Sequence, residues 1–555
     1  MNTKFLVIIP ARGGSKGIKR KNLRFLNGMP LIWYIINTAK KSKYVEDVVV
    51  TTDDSQIKNY VENIRMGIKV RERPTELGRD HVTLDPVVYD AYRWYKDKYK
   101  EVDYVITMQP TSSLLTVQTL NNAIEKVLKE QIGTLISVVE QTHLFWKEKE
   151  GKLYPDYKER LNRQWLDKIF KETGSFLISK VECLKENNRI CREITVFEIP
   201  FEEGVDIDTK IDWLIAETLL KRLKILFVVS GNQDIGMGHI YRALTLSDYF
   251  LGNDITFFLL SSSKEAEDVV KNYVEHYLVG SSLSEVIKLS SDYDIVINDF
   301  LDTEKDYIRD LKKNRNFVVN FEDLGDGSYE ADLVFNALYE KIDVPSNHRY
   351  GYRYFILNEK FLLHPYNKFR EQVSTILITF GGVDQNNLTL KSIKALEGLV
   401  NEYRIKVKVI VGPGYGYYED LVNCVESLSF KENLVILRNV KNMAMEMSGI
   451  DLGITSNGRT IYELTSMKVP IISIAQNDRE TMHLFSRYSE GVDYCGIACN
   501  VRIEDIRRAV EEKIKYREKR YRMYVSLPAK EIRKGGEKVK GEILSNYWKW
   551  RGKWK

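Results

Sequence analysis

Cysteine is scarce: five residues in 555, with no C-x-x-C pair. That excludes a disulfide scaffold and a structural zinc ribbon, and it fits a reducing compartment. Charge of one sign is scarce as well. The 83 Lys and Arg against 78 Asp and Glu leave a net +5, too little for a dedicated nucleic-acid binder. No apolar run approaches the roughly 20 residues that would span a bilayer. The apolar start, Phe5–Ile9, is broken at once by Pro10-Ala11-Arg12-Gly13-Gly14, so it does not read as a signal segment. The expectation is a cytoplasmic chain with no nucleic-acid partner and no membrane insertion. Low-complexity tracts, short-period repeats and a G-x-x-x-x-G-K-[ST] loop are also missing.

What is present is an ordinary globular composition, 43% hydrophobic and 29% charged, long enough for three to four compact units. Short β-branched runs alternate with helical stretches. Phe5–Ile9, Asp47–Thr51, Asp103–Met108 and Thr134–Val139 are examples. The alternation predicts an α/β fold with largely parallel sheets. Near residue 222 the pattern restarts. Ile211–Leu220 reads as a closing helix and Ile225–Val229 as a fresh first strand. A second restart follows the aperiodic stretch Asn358–Ser374, with Thr375–Phe380 as a strand ending in Gly381-Gly382. The expected domains are 1–222, 223–372 and 373–555. The basic, aromatic end, Tyr547–Lys555, reads as a solvated or back-packed tail.

The loop after the first strand carries the first chemistry. Gly13, Gly14 and Gly17 let the backbone bring N–H groups close to an anion. Arg12, Lys16, Lys19, Arg20, Lys21 and Arg24 add six positive charges, which suits a triphosphate held extended. Further on, Asp206 and Asp208 would share one face of an extended segment. Two hard oxygen ligands there can hold Mg²⁺; the plain alternative is two solvated Asp, one capping the next helix.

The run Ile9–Asn22 resembles the signature of the cytidylyltransferases that activate sialic acids and related nonulosonic acids. Arg73-Pro74-Thr75-Glu76-Leu77 with Asp80, Met108-Gln109-Pro110-Thr111-Ser112, Arg163-Gln164 before Gly174-Ser175-Phe176, and Val205–Thr209 follow in that family's order. The resemblance implies a nucleotide-diphospho-sugar-transferase-like Rossmann-type domain and transfer of CMP from CTP to a nonulosonic acid. By match, Arg12, Gly13, Gly14, Ser15 and Lys21 would hold phosphates, with Arg12 and Lys21 acting in catalysis. Asn22, Arg73 and Thr83 would sit near the cytidine, and Gln109, Arg163, Gln164 and Lys171 would meet the sugar acid. Asp206 and Asp208 would hold Mg²⁺, and a homodimer through this domain is implied. Ser113-Leu114-Leu115, Lys171 and Thr173 depart from the usual pattern on the sugar side, which bears on the identity of the acceptor acid.

The second chemistry is the turn Ser230–Arg242, where Gly236, Gly238 and then His239 open a helix. His239 can act there as a base or hydrogen-bond donor. Gly381-Gly382-Val383-Asp384 could face a diphosphate, and Asn457, Gly458, Thr460 and Glu463 could hold a nucleotide, Glu463 through ribose hydroxyls. These pieces, with Asn320–Asp323 and Asn336–Tyr339, resemble the UDP-sugar hydrolase of pseudaminic acid biosynthesis, a relative of the two-domain GT-B glycosyltransferases. The resemblance implies a two-subdomain GT-B-like region that removes UDP from a diacetamido-trideoxy-hexose without a cofactor, with His239 as base and Gly238 beside the sugar. A glycosyltransferase or an inactive nucleotide-sugar-binding module are the alternatives. Asn298-Asp299-Phe300 departs from the family's frequent Asp-His-Tyr.

Overall fold

Strands form where β-branched residues are buried on both faces, and helices where a cap starts an amphipathic run. The computed structural model describes residues 3–14, 17–79, 81–232, 237–341 and 344–552. The chain divides into two compact units, Met1–Arg222 and Leu223–Lys555.

In the first unit, seven strands lie in the order Ile194–Glu198, Thr134–Glu140, Phe170–Lys180, Tyr104–Thr107, Phe5–Pro10, Val45–Thr52, Lys69–Glu72. All neighbours are parallel except Phe170–Lys180, which runs antiparallel to both its neighbours. Alternation along the first strand sorts two cores. Phe5, Val7 and Ile9 pack with Ile32, Ile35, Ile36 and Leu120. Leu6 and Ile8 pack on the other face with Val88, Ala91, Tyr92 and Tyr95 of helix Leu84–Lys98. Asp54 accepts from the backbone N–H of Gln56 and Ile57 and starts helix Ser55–Asn63. A solvent-exposed hairpin, Trp146–Lys149 with Lys152–Pro155, projects from this unit.

The second unit repeats one plan twice. Its first sheet runs Tyr277–Gly280, Asp254–Leu260, Lys224–Val229, Ile295–Asp299, Phe317–Phe321, Leu333–Asn336, His348–Tyr350. Its second runs Leu434–Arg438, Lys406–Val411, Thr375–Thr379, Leu452–Ser456, Ile471–Ala475, Val492–Ile497. Both are wholly parallel, and both reverse direction beside their first strand, the doubly wound order that opens a crevice at the carboxyl ends of the strands.

Packing does not follow a cut at 372/373. Leu338, Phe355, Leu357 and Phe361 belong to the core of the second sheet with Leu377, Ile461 and Tyr462. Conversely, the last helix, Gly535–Gly552, returns to the first sheet, where Val539, Ile543 and Tyr547 join Leu223, Phe317 and Phe335. The aromatic end is therefore back-packed as far as it is described: Trp550 lies edge-on to Phe317 at 5.8 Å. Residues 553–555 lie outside the described residues. No helix among the described residues is long and apolar enough to cross a membrane. Cysteine contributes one disulfide, Cys183–Cys191, against the expectation of a reducing compartment; seven residues lie between the pair, and the turn closed by the Lys185–Asn188 bridge brings them together.

Candidate functional site

The first unit's charged loop is held by short polar contacts from two other segments, around Asp53 and around Asp208. Asn22 is buried and donates through Nδ2 to the Arg12 carbonyl at 3.0 Å, bracing the loop. Gly13 N–H donates to Asp53 at 3.2 Å. Lys21 donates to the Ile207 carbonyl at 2.5 Å and to Asp208 at 2.7 Å. Gly17 is required by close approach: a Cβ there would fall 2.2 Å from the Asp208 carbonyl oxygen. Arg73 is buried and donates to the Thr51 carbonyl at 2.7 Å. Burial lowers its pKa, with Asp53 and Asp90 opposing and Arg12 adding to the effect. The Arg12 and Arg73 guanidinium groups thus lie close enough beside the glycine turn to feel each other's charge. Ser15 and Lys16, with Asp80, lie outside the described residues.

The acidic pair is built differently from the extended segment expected. Asp208 N–H donates to the Asp206 carbonyl at 3.1 Å, so the chain makes a γ-turn at Ile207. Ile207 is fully buried with Leu26, Leu31 and Ala216, which fixes the turn. Neither Asp is the helix cap. Thr209 and Asp212 form the capping box of Lys210–Leu219. Asp206 Oδ1 is buried with no hydrogen-bond partner, while the Asp208 side chain stays 69% exposed. An unpartnered buried carboxylate oxygen beside an accessible one fits a hard cation. Among the described residues no cluster of three His, Cys, Asp or Glu surrounds them, so phosphate oxygens and water would complete the coordination.

The residues expected on the sugar side lie on several elements. Gln109 lies against Gly174, whose hypothetical Cβ would sit 2.9 Å from Gln109 Nε2. Lys171 is exposed on its strand, close enough to help lower the Asp212 pKa. Arg163 and Gln164 ride an exposed turn, Arg163–Trp165. Thr83 is exposed before helix Leu84–Lys98 and caps nothing.

The second unit's site is a buried ionic network. His239 opens helix Gly238–Asp248, and its Nδ1 lies 2.6 Å from Asp299 Oδ1. Arg242, one turn on, donates through Nε to Asp299 Oδ2 at 2.7 Å and reaches Glu322 at 3.5 Å. His239, Arg242, Asp299 and Glu322 are all buried. Burial alone would raise the Asp299 pKa; Arg242 and His239 outweigh it and hold the carboxylate ionised, below its usual range. An ionised Asp299 can only accept, so His239 Nδ1–H donates and Nε2 is left to take a proton. Sequence reasoning had His239 but missed Asp299. The signal lay in topology: Asp299 ends the strand that pairs with Lys224–Val229, directly opposite Val229, where the His239 loop begins. Residues 233–236 of that loop lie outside the described residues.

Across the crevice, Gly381 has φ +81°, and backbone at Gly382 and Gly412 approaches closely. The helix that follows is already capped: Asp384 accepts from Leu388 N–H at 2.9 Å and Thr389 N–H at 2.7 Å. A diphosphate facing Gly381-Gly382 would therefore meet loop backbone rather than open helix N–H groups. Asn457 is a brace, donating to the Glu480 and His483 carbonyls at 2.6 and 3.0 Å. Gly458 and Thr460 stand partly accessible at the start of Thr460–Ser466. Burial raises the Glu463 pKa, with Arg459 opposing it.

A glycine loop tied by Lys21 to an acidic turn thus stands at the end of the first strand of this sheet. The cytidylyltransferase family model matches residues 6–228. The chain is 31% identical over 228 residues to the pseudaminic acid cytidylyltransferase of Campylobacter jejuni, covering 39% of this chain and 97% of that protein. It is 33% identical over 224 residues to N-acylneuraminate cytidylyltransferase A of Danio rerio, covering 39% of this chain and 50% of that protein. The chain belongs to the cytidylyltransferase family. It spans about half the length of the first curated relatives it matches, 56% and 50%. Over the second unit, a crystal structure of Acinetobacter baumannii MurG is 12% identical with a TM-score of 0.44, covering 58% of this chain and 99% of that one. The two-sheet architecture stated above rests on the strand orders themselves.

Proposed function

We propose that the chain is a bifunctional enzyme of nonulosonic acid biosynthesis. The first unit transfers CMP from CTP to the anomeric hydroxyl of a nonulosonic acid and releases pyrophosphate. The second hydrolyses a UDP-diacetamido-trideoxy-hexose to free sugar and UDP. For the first reaction, the supporting observation is the Lys21–Asp208 contact that joins the anion loop to the acidic turn. It brings a cation and two carboxylates to one place, and Arg12 and Arg73 add positive charge. Asp206 and Asp208 are the residues that would hold Mg²⁺, which when bound offsets charge on the phosphates. The loop N–H groups orient the triphosphate, and the work of the site is positioning plus electrostatics.

For the second reaction, the supporting observation is the Asp299–His239 pair at 2.6 Å. It orients the imidazole so that Nε2 can take the proton of an attacking water. Incubation with CTP, Mg²⁺ and a panel of nonulosonic acids tests the first half; CMP-sugar is expected with at least one. Incubation with UDP-sugars and no acceptor tests the second; UDP release is expected. Release only when an acceptor is added would make the second unit a glycosyltransferase.

A further inference from the structure

The crevice of the second unit contains a partly accessible arginine, Arg459, whose Nη1 is buried and makes no hydrogen bond. Arg459 stacks on Phe355, its guanidinium carbon 4.7 Å from the ring centre. Nη2 makes a long 3.5 Å contact with the Ile356 carbonyl, and Nη1 is buried with no hydrogen-bond partner. No carboxylate among the described residues forms an ion pair with it, in contrast to Arg242 beside Asp299 and Glu322. Burial lowers its pKa to about 10, with Arg242 adding to the effect and Glu463, Glu322 and Asp299 opposing it. A buried charge with an open donor is costly unless a ligand completes it.

A second unpartnered group lies in the same network. Glu322 is 4% exposed, and its Oε2 is buried without a partner while Oε1 faces Arg242. Its backbone is left-handed, φ +52°, a conformation that glutamate rarely adopts and that marks functional sites. Glu322 and Arg459 each feel the other's charge. Both adjoin the His239 base: a Cβ on Gly238 would come 3.7 Å from Arg459 Cδ, and Arg242 links Glu322 to Asp299 and so to His239.

We propose that Arg459 and Glu322 grip the two sides of the scissile bond of a glycosyl diphosphate: Arg459 Nη1 donates to a phosphate oxygen, and Glu322 Oε2 bonds a hydroxyl or amide of the sugar. The ligand class follows from the donor set: an anionic oxygen for the guanidinium next to a polar hydrogen for the carboxyl, with the base alongside. During hydrolysis, water oxygen bonds to the anomeric carbon as the bond to the diphosphate oxygen breaks. The electron pair leaves with the nucleoside diphosphate, whose charge Arg459 offsets, and the water proton passes to His239. This rests on reading the second unit as a UDP-sugar hydrolase and assigns what touches each half of that substrate.

The test uses the full chain and calorimetric titration. Arg459→Gln should weaken UDP binding roughly 10- to 100-fold, the loss of one charge-assisted hydrogen bond, and leave uridine binding within about twofold. Arg459→Lys, which keeps the charge, should fall between, and thermal melting confirms that each variant folds. Glu322→Gln should lower kcat/KM for UDP-sugar at least about tenfold and leave UDP affinity unchanged. Wild-type UDP affinity in Arg459→Gln overturns the phosphate assignment; parallel losses of UDP and sugar terms in Glu322→Gln overturn the division of roles. If the wild-type chain binds no UDP, the uridine-nucleotide reading has failed, and inorganic pyrophosphate decides the anion site. Binding that drops in Arg459→Gln keeps the site, and identical binding in both chains removes it.

Discussion

The two sites handle charge in opposite ways. In the first unit, Asp208 is largely exposed and Lys21 holds it at the edge of a loop. In the second, Asp299, Arg242 and Glu322 are closed off, and each position is fixed by another charged group. An open site draws its geometry from the ligand: in the proposed reaction, CTP and a cation would complete what the glycine loop and the γ-turn leave unfinished. A closed site carries its geometry beforehand, because buried charges in a low dielectric tolerate little misplacement. The first design suits a large polyanion that brings its own hydration shell. The second suits proton transfer, where a base must keep one tautomer.

The largest expected effect falls on the closed site. Asp299→Asn keeps the shape and removes the charge that fixes the His239 tautomer. Hydrolysis should fall roughly 10²- to 10⁴-fold, measured as UDP release. Next is Lys21→Ala, which unties the loop from Asp208 and should lower CMP transfer by about one to two orders of magnitude; unchanged turnover would make that contact incidental. A smaller contrast is expected from salt. Raising ionic strength from about 0.05 to 0.5 M shortens the screening length severalfold. The KM for CTP should rise more than the KM for the UDP-sugar, since Asp208 in the first site is open to solvent while Asp299, Arg242 and Glu322 in the second are buried.

The smallest effect concerns pH and stability. Burial raises the pKa of Glu322 and Glu480, so in the folded chain these carboxyls keep protons that the unfolded chain releases near 4.3. Their contribution to stability is full below that value and is lost as pH rises through the raised folded values. Asp299, held low, works in the opposite direction, so the readout is the difference between chains. The thermal midpoint of Glu322→Gln should decline less than wild type between about pH 4 and 7.

Much of the first site was legible because its residues are neighbours in sequence. Gly13, Gly14, Lys21 and Asn22 share one loop, and a loop's chemistry can be read without knowing the sheet. The acidic turn was legible in composition but not in shape: whether Asp206–Asp208 extends or turns depends on Ile207 being buried among Leu26, Leu31 and Ala216, which no local pattern announces. The second site was half visible. His239 stood out through its glycines. Asp299 and Glu322 appeared only inside motifs, with no role of their own, and Arg459 carried none, since the three converge only when parallel strands set far-separated segments side by side and the second sheet faces the first. Asn457 shows the complementary case: a polar residue at a strand end reads as a ligand group, and its bracing contacts appear only when the 476–483 segment packs over it.

If each unit houses a self-sufficient site, a crossed assay on the full chain separates the two activities, with Asp208→Asn and His239→Asn each measured for both CMP transfer and UDP release. The prediction is reciprocal loss: Asp208→Asn loses CMP transfer by orders of magnitude and keeps UDP release, and His239→Asn does the reverse. Loss of both activities in either folded variant would contradict it.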